Sequence, residues 1–158
     1  MPTRTKVRFR AGVGAVIAND RGEVLALERD DIAGAWQFPQ GGLKNGEEPL
    51  AAVLREISEE TGISNNDLRL VDECPELLAY QLPPDKRSPK TGRGQVQRWF
   101  LFRFVGQEQT IRLPVGGEFR AWVWRSFEAV ASDVVDFKKP VYSRLVERFG
   151  RFLDAGQQ

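Results

Sequence analysis

There is no histidine in the 158 residues, and only one cysteine, Cys74. Without histidine the chain can build neither a histidine-based nucleophilic triad nor a zinc–histidine site, so acid–base work falls to carboxylates and lysines. A lone cysteine excludes an internal disulfide and fits a reducing compartment, so a cytoplasmic location is expected. Cys74 itself reads as a small buried hydrophobe. A surplus of one charge is lacking too: 23 basic residues stand against 22 acidic ones, leaving +1. No global field therefore points to long nucleic acid or to a membrane. No apolar run approaches the roughly 18 residues of a membrane span, and no apolar h-region follows the basic start, so neither a span nor a signal peptide is expected. Internal repeats, low-complexity blocks and interdomain linkers are missing as well. A chain 41% hydrophobic and 28% charged then reads as one soluble globular domain over residues 1–158.

What is present is concentrated between residues 41 and 63, GGLKNGEEPLAAVLREISEETGI. Glu59 and Glu60 lie three and four positions beyond Glu56, so on a helix all three carboxylates share one face. Like charges at that spacing destabilise a bare helix by a few tenths of a kcal/mol per pair. A cation offsets that repulsion, and hard divalent ions such as Mg²⁺ take oxygen ligands. Gly41 and Gly42 permit a tight turn or a close approach, and Asn45-Gly46 signals a second turn. Pro49 suits a first helical turn, Glu47 and Glu48 suit the positive end of its dipole, and Gly62 can end it. Leu50, Val53, Leu54 and Ile57 recur at helical spacing and give the helix an apolar side to bury.

Gly41, Glu47, Arg55-Glu56-Ile57, Glu59-Glu60 and Gly62-Ile63 fill all nine defined positions of a pattern that resembles the Nudix box. The resemblance implies the Nudix fold, an α/β/α sandwich with a curved mixed sheet. It also implies hydrolysis of nucleoside diphosphates linked to another group, with Mg²⁺ or Mn²⁺ as cofactor. By position, Glu56, Glu59 and Glu60 resemble the metal ligands, and Gly41 resembles a donor of a backbone carbonyl to metal. Arg55 resembles the arginine that holds a glutamate by ion pairing, with Glu47 as its partner. A further acid in close relatives comes from a loop before a late strand. Glu118 matches that place, as general base or additional ligand, and both readings stay open.

Outside the box, WQFPQGG at 36–42, GQVQRWFLF at 94–102, EFRAWVW at 118–124 and FKKPVY at 137–142 resemble one branch of the family. It contains diadenosine tetraphosphate hydrolases and bacterial RNA pyrophosphohydrolases. There Arg10 corresponds to an arginine near phosphate or base, and Tyr80 and Lys138 to groups near the phosphates. Phe137 corresponds to a base-stacking ring, with a packed hinge residue under the last helix as its other reading. Arg10-Ala11 departs from the usual Arg-Pro-Asn, which leaves strand entry and base contacts less defined. The expected substrate is diadenosine tetraphosphate or the 5′-triphosphate end of RNA, with no obligate protein partner evident. The alternatives are ADP-ribose, an oxidised nucleotide or a diphosphoinositol phosphate, or a catalytically silent binding module. The complete set of box glutamates disfavours the last.

The remaining pattern predicts a polar, basic, frayed lead-in over 1–8 and a buried strand over 9–18, with Gly12 and Gly14 packed closely on neighbours. Its hairpin partner is expected over 23–28, with a loop over 29–35 and a core role for Trp36 and Phe38. Further strands are expected over 68–71, 76–82, 95–105 and 119–124, the third of these central. A short helix is expected over 127–131. A last helix is expected over 140–153, burying Val141, Leu145, Val146, Phe149 and Leu153. Residues 83–94 (PPDKRSPKTGRG) read either as a solvated mobile loop or as a basic flap reaching toward a phosphate chain.

Overall fold

The computed structural model describes residues 8–153. The lead-in expected over 1–8 falls outside that range except for Arg8. Two strands form its spine: β1 (Phe9–Ala18) and β7 (Gly94–Phe104) run parallel from the pair Phe9↔Gly94 to Ala18↔Arg103. β7 is rich in aromatic residues, and β1 sets Val13, Val16 and Ile17 among small residues, a combination that fits a pleated surface covered on two sides. Successive side chains leave on opposite faces. Val13, Ala15 and Ile17 of β1 therefore join Phe100 and Phe102 in one core layer. Val16 and Ala18 join Trp99 and Leu101 in the other. The Trp99 ring covers the place where a side chain on Gly14 would stand, so that glycine serves close packing.

The other strands pair antiparallel around this spine, making the sheet mixed. β2 (Val24–Arg29) meets β1 at Ala18↔Val24, then diverges to pair with β3 (Trp36–Gln37) and β8 (Phe119–Arg125). β4 (Gln40–Gly42) pairs with β1, and β5 (Leu68–Glu73) and β6 (Leu78–Gln81) pair with β7. β3 and β4 replace the plain lead-in expected before the box. They are two and three residues long, too short for a period to register, and Pro39 separates them.

Helices close both faces. α1 (Pro49–Thr61) has its proline at the start and ends on Gly62 at φ +74°, the left-handed cap that glycine adopts without strain. It buries Ala52, Val53 and Ile57 against the first layer, while Leu50 remains 39% exposed, contrary to the expected stripe. On the other face, α2 (Phe127–Asp133) and α3 (Lys139–Phe149) cover the second layer. α3 stops at Phe149 and a 3-10 turn follows over Gly150–Phe152, so Val146 and Leu153 pack only at the margin. Tyr142, absent from the expected stripe, is fully buried. It stacks on Phe38 at 4.7 Å and its hydroxyl accepts from the Phe38 N–H at 2.8 Å. Cys74 is buried and free, and among the described residues no helix is long and apolar enough to cross a membrane.

Candidate active site

The loop before α1 and the helix are stapled by one side chain. Arg55 donates to both Glu47 oxygens, from Nε at 2.8 Å and Nη2 at 2.9 Å, and Nη2 also reaches the Gly42 carbonyl at 3.0 Å. Its Nη1 donates to Glu56 at 2.8 Å and lies 3.4 Å from Glu59. A planar fork of five donors can hold several acceptors at once, which a lysine cannot. The Arg55 bonds, with the Lys44 N–H, pull the Glu47 carboxyl down to about 2.

The remaining acids of α1 are less compensated. Glu56 is half-buried, and Gly41 makes room for it: the Glu56 carboxylate fills the place a side chain at 41 would take. Burial, opposed by Arg55, holds the Glu56 carboxyl above its ordinary value. Glu60 is 8% exposed and accepts from the Gln40 N–H at 3.2 Å. Burial first, then repulsion from Glu56 and Glu118, pushes it well up. Glu59 is exposed. Among the described residues no three acids already converge on one ion position. The donors are nevertheless all carboxylate oxygens, two of them desolvated and repelling each other and Glu118. That composition suits a hard divalent cation and no soft one. The Gly41 carbonyl, expected to face a metal, belongs to a β4 residue registered opposite Val13.

Beside the carboxylates lies a cavity of about 500 Å³, lined among others by Arg29, Tyr80, Lys86, Glu118, Phe137 and Lys138. The Asp30 N–H donates to the Glu118 carbonyl at 2.8 Å, which ties the Glu118 loop to the end of β2. Tyr80 and Phe137 pack with ring centroids 5.6 Å apart, and the Lys138 ammonium sits 5.3 Å from the Tyr80 centroid. Lys138 is 4% exposed, with Nζ 3.3 Å from Gln37 Oε1. Burial, and then the Arg29 charge, push its ammonium down to about 8, against the opposing pull of Glu60, Glu118 and Asp31. A buried, weakly paired ammonium lacks a full anionic partner.

The fold thus brings Glu56, Glu60, Glu118, Tyr80, Phe137 and Lys138 to one place, with Glu59 and Arg55 at its edge. Arg10 is not among the cavity's lining residues; its guanidinium bonds instead to the Lys90 carbonyl. Arg29, by contrast, carries no signal in the sequence that marks it as a site residue. Its position depends on β2 pairing with β8, which sets it opposite Phe119, and no local pattern announces that.

Residues 8–145 match the NUDIX domain. The chain is 40% identical to an RNA pyrophosphohydrolase of Acidiphilium cryptum over 160 aligned residues, 96% of each chain. It is 38% identical to the chloroplastic Nudix hydrolase 26 of Arabidopsis thaliana, covering 92% of this chain and 71% of that one. The fold matches that of the E. coli dihydroneopterin triphosphate pyrophosphohydrolase with a TM-score of 0.70 at 23% identity, over 89% of this chain and 98% of that one. It also matches a C. elegans Ap4A hydrolase with a TM-score of 0.66 at 20% identity, over 90% and 97%. A domain match over most of the chain, joined to relatives of this identity along nearly its full length, means that the chain belongs to the Nudix family.

Proposed function

We propose that this chain is one cytoplasmic domain that hydrolyses a phosphoanhydride bond in a nucleoside polyphosphate, releasing pyrophosphate from the 5′-triphosphate end of RNA. The observation that carries the reading is the juxtaposition of the α1 carboxylates with a cavity holding a buried ammonium and two aromatic rings. RNA is favoured over other polyphosphates by the names of relatives that align along nearly the whole chain. Diadenosine tetraphosphate is the second reading, because the same rings and ammonium would take an adenosine and its phosphate chain.

Glu56, Glu59 and Glu60 would hold Mg²⁺, with Glu118 as a further donor. Held there, such an ion would supply charge neutralisation of phosphate oxygens and a lowered pKa for a bound water. The chain's own residues do the rest. Lys138 and Arg29 bind non-bridging phosphate oxygens and lower the repulsion that protects a polyphosphate from attack. Phe137 holds the first base by stacking, worth about 1–3 kcal/mol and tolerant of base identity, with Tyr80 packed beside it toward the phosphates. Arg55 positions Glu56 and the 43–48 loop without touching the substrate. Glu118 takes the proton as a water oxygen bonds to phosphorus and the bridging P–O bond breaks.

Glu59→Gln and Glu60→Gln are expected to lower turnover by orders of magnitude while the far-ultraviolet circular dichroism stays unchanged. Pyrophosphate release from triphosphorylated RNA and nucleotide release from diadenosine tetraphosphate are to be followed separately. Full activity in both variants, or in EDTA, removes the site. Turnover of the dinucleotide alone selects the second reading.

A further inference from the structure

Next to the cavity mouth stands a surface that this chemistry does not use. Residues 83–94 carry Lys86, Arg87, Lys90 and Arg93 against a single acid, Asp85, and Arg8 and Arg10 lead into β1 beside them. None of these six cations has an ion-pair partner among the described residues. In a chain with a net charge of +1, six cations free of ion pairs thus stand together over residues 8–10 and 86–93. The segment is built rather than loose. The Ser88 N–H donates to the Thr91 hydroxyl at 2.9 Å, the Thr91 N–H to the Ser88 hydroxyl at 3.0 Å, and the Gly92 N–H to the Ser88 carbonyl at 2.7 Å. Gly92, at φ +68°, closes this turn against the Arg8 backbone.

Three further bonds pin the turn to the sheet. The Arg93 N–H donates to the Arg8 carbonyl at 3.1 Å, the Leu82 N–H to the Arg93 carbonyl at 2.8 Å, and Arg87 Nε to the Leu82 carbonyl at 2.8 Å. Arg10 completes the anchoring through the Lys90 carbonyl. Lys90 keeps its ammonium free at the tip. Phe9 is 38% exposed, with the Arg93 guanidinium 5.7 Å from its ring centroid. An aromatic face flanked by preorganised cations is the usual means of holding a single strand without reading its sequence.

We propose that this patch is a binding track for the RNA chain that continues beyond the 5′ nucleotide, an inference that rests on the RNA reading of the site. Lys86 lines the cavity, so the track begins at its mouth. Register sets Gln81, Gly94 and Phe9 side by side across three strands. Two strand spacings separate Gln81 from Phe9, about 10 Å. With 3.4 Å or more of path per nucleotide, that distance takes up to about three nucleotides. Lys90 and Arg93 contact phosphates, and Phe9 stacks on a base.

The test compares triphosphorylated RNA as a dinucleotide and as an octanucleotide, with diadenosine tetraphosphate as the chain-free control. The enzyme is expected to show several-fold higher kcat/KM on the octanucleotide. Lys90→Gln, Arg93→Gln and Phe9→Ala should lose that gain and leave the other two substrates unchanged. Binding is read separately, by fluorescence anisotropy of a 5′-hydroxyl octanucleotide across a salt series. Each neutralised cation should reduce the log–log salt slope by about 0.7. Equal kcat/KM on both RNA lengths, or a salt slope unmoved in Lys90→Gln and Arg93→Gln, overturns the track. Lack of RNA turnover with normal dinucleotide turnover overturns the RNA reading, and the anisotropy series then decides the track by itself. Lys90→Gln changes only a side chain at the turn's tip, so the series stays readable if Arg93→Gln fails to fold.

Discussion

Gly41 does its work through what it lacks. A methyl there would overlap the carboxylate of Glu56, the far end of a flexible side chain that can swing away. Gly41→Ala should therefore fold and melt close to the wild type, yet misplace one proposed metal ligand. A displacement of about 1 Å at a reacting centre can cost about 100-fold in rate. The expected result is such a loss in kcat/KM, partly recovered by raising Mg²⁺; unchanged kinetics would show that Glu56 is free to sit elsewhere. Lys138 offers a second single-residue experiment. Its folded value of about 8 lies below the ordinary 10.5. Between those values the unfolded chain keeps a proton that the folded chain has shed, so this group makes stability rise with pH across that window. Phosphate binding has the opposite demand, since it needs the ammonium charged. kcat/KM should fall above about pH 8, and Lys138→Met should be slower and lack that limb. An identical basic limb in Lys138→Met would remove Lys138 from the phosphate contacts.

At the scale of elements, α1 and the loop before it act as one piece because Arg55 bridges them. Arg55→Lys keeps the charge but loses the fork, so Glu47 and Glu56 cannot both be held. Turnover should fall about 10- to 100-fold, the range seen when a positioning partner of a metal ligand is lost, with a smaller change in melting. The Glu47 carboxyl, at about 2 when folded and 4.5 ordinarily, contributes stability that is complete above 4.5 and lost as pH falls through 2. Acid unfolding of Arg55→Lys should be less steep in that window, as followed by intrinsic tryptophan fluorescence. The same elements tell how legible the chain was. β1, β7 and α1 are long and strongly patterned, and each lies within about one residue of its expected bounds. β3 and β4 are too short to carry a period and exist only because β1 and β2 offer them partners. The box glutamates could be read from spacing alone. Arg29 and the burial of Lys138 could not, since both arise from strand and helix contacts distant in sequence.

The whole molecule carries a conflict at its catalytic end. Glu60 is nearly buried, Glu56 is half-buried, and both repel Glu118. Folding brings these like charges together, and the two core layers stabilise the molecule against that repulsion. A divalent cation that binds only the folded state reverses the sign of the effect. At a Mg²⁺ concentration about 100 times its Kd, the folded state gains about 2.7 kcal/mol, which for a chain of this size raises the melting temperature by about 5–10 °C. Glu60→Gln separates the two contributions, because the amide oxygen can still accept from the Gln40 N–H while the buried charge is gone. In EDTA that variant should melt above the wild type. In Mg²⁺ the order should invert, since the wild type gains and the variant gains little. Calorimetric scans of both proteins with and without Mg²⁺ give the four temperatures. If Glu60→Gln rises with Mg²⁺ as much as the wild type, Glu60 does not hold the ion. If it melts lower in EDTA, the buried carboxylate is not a source of strain.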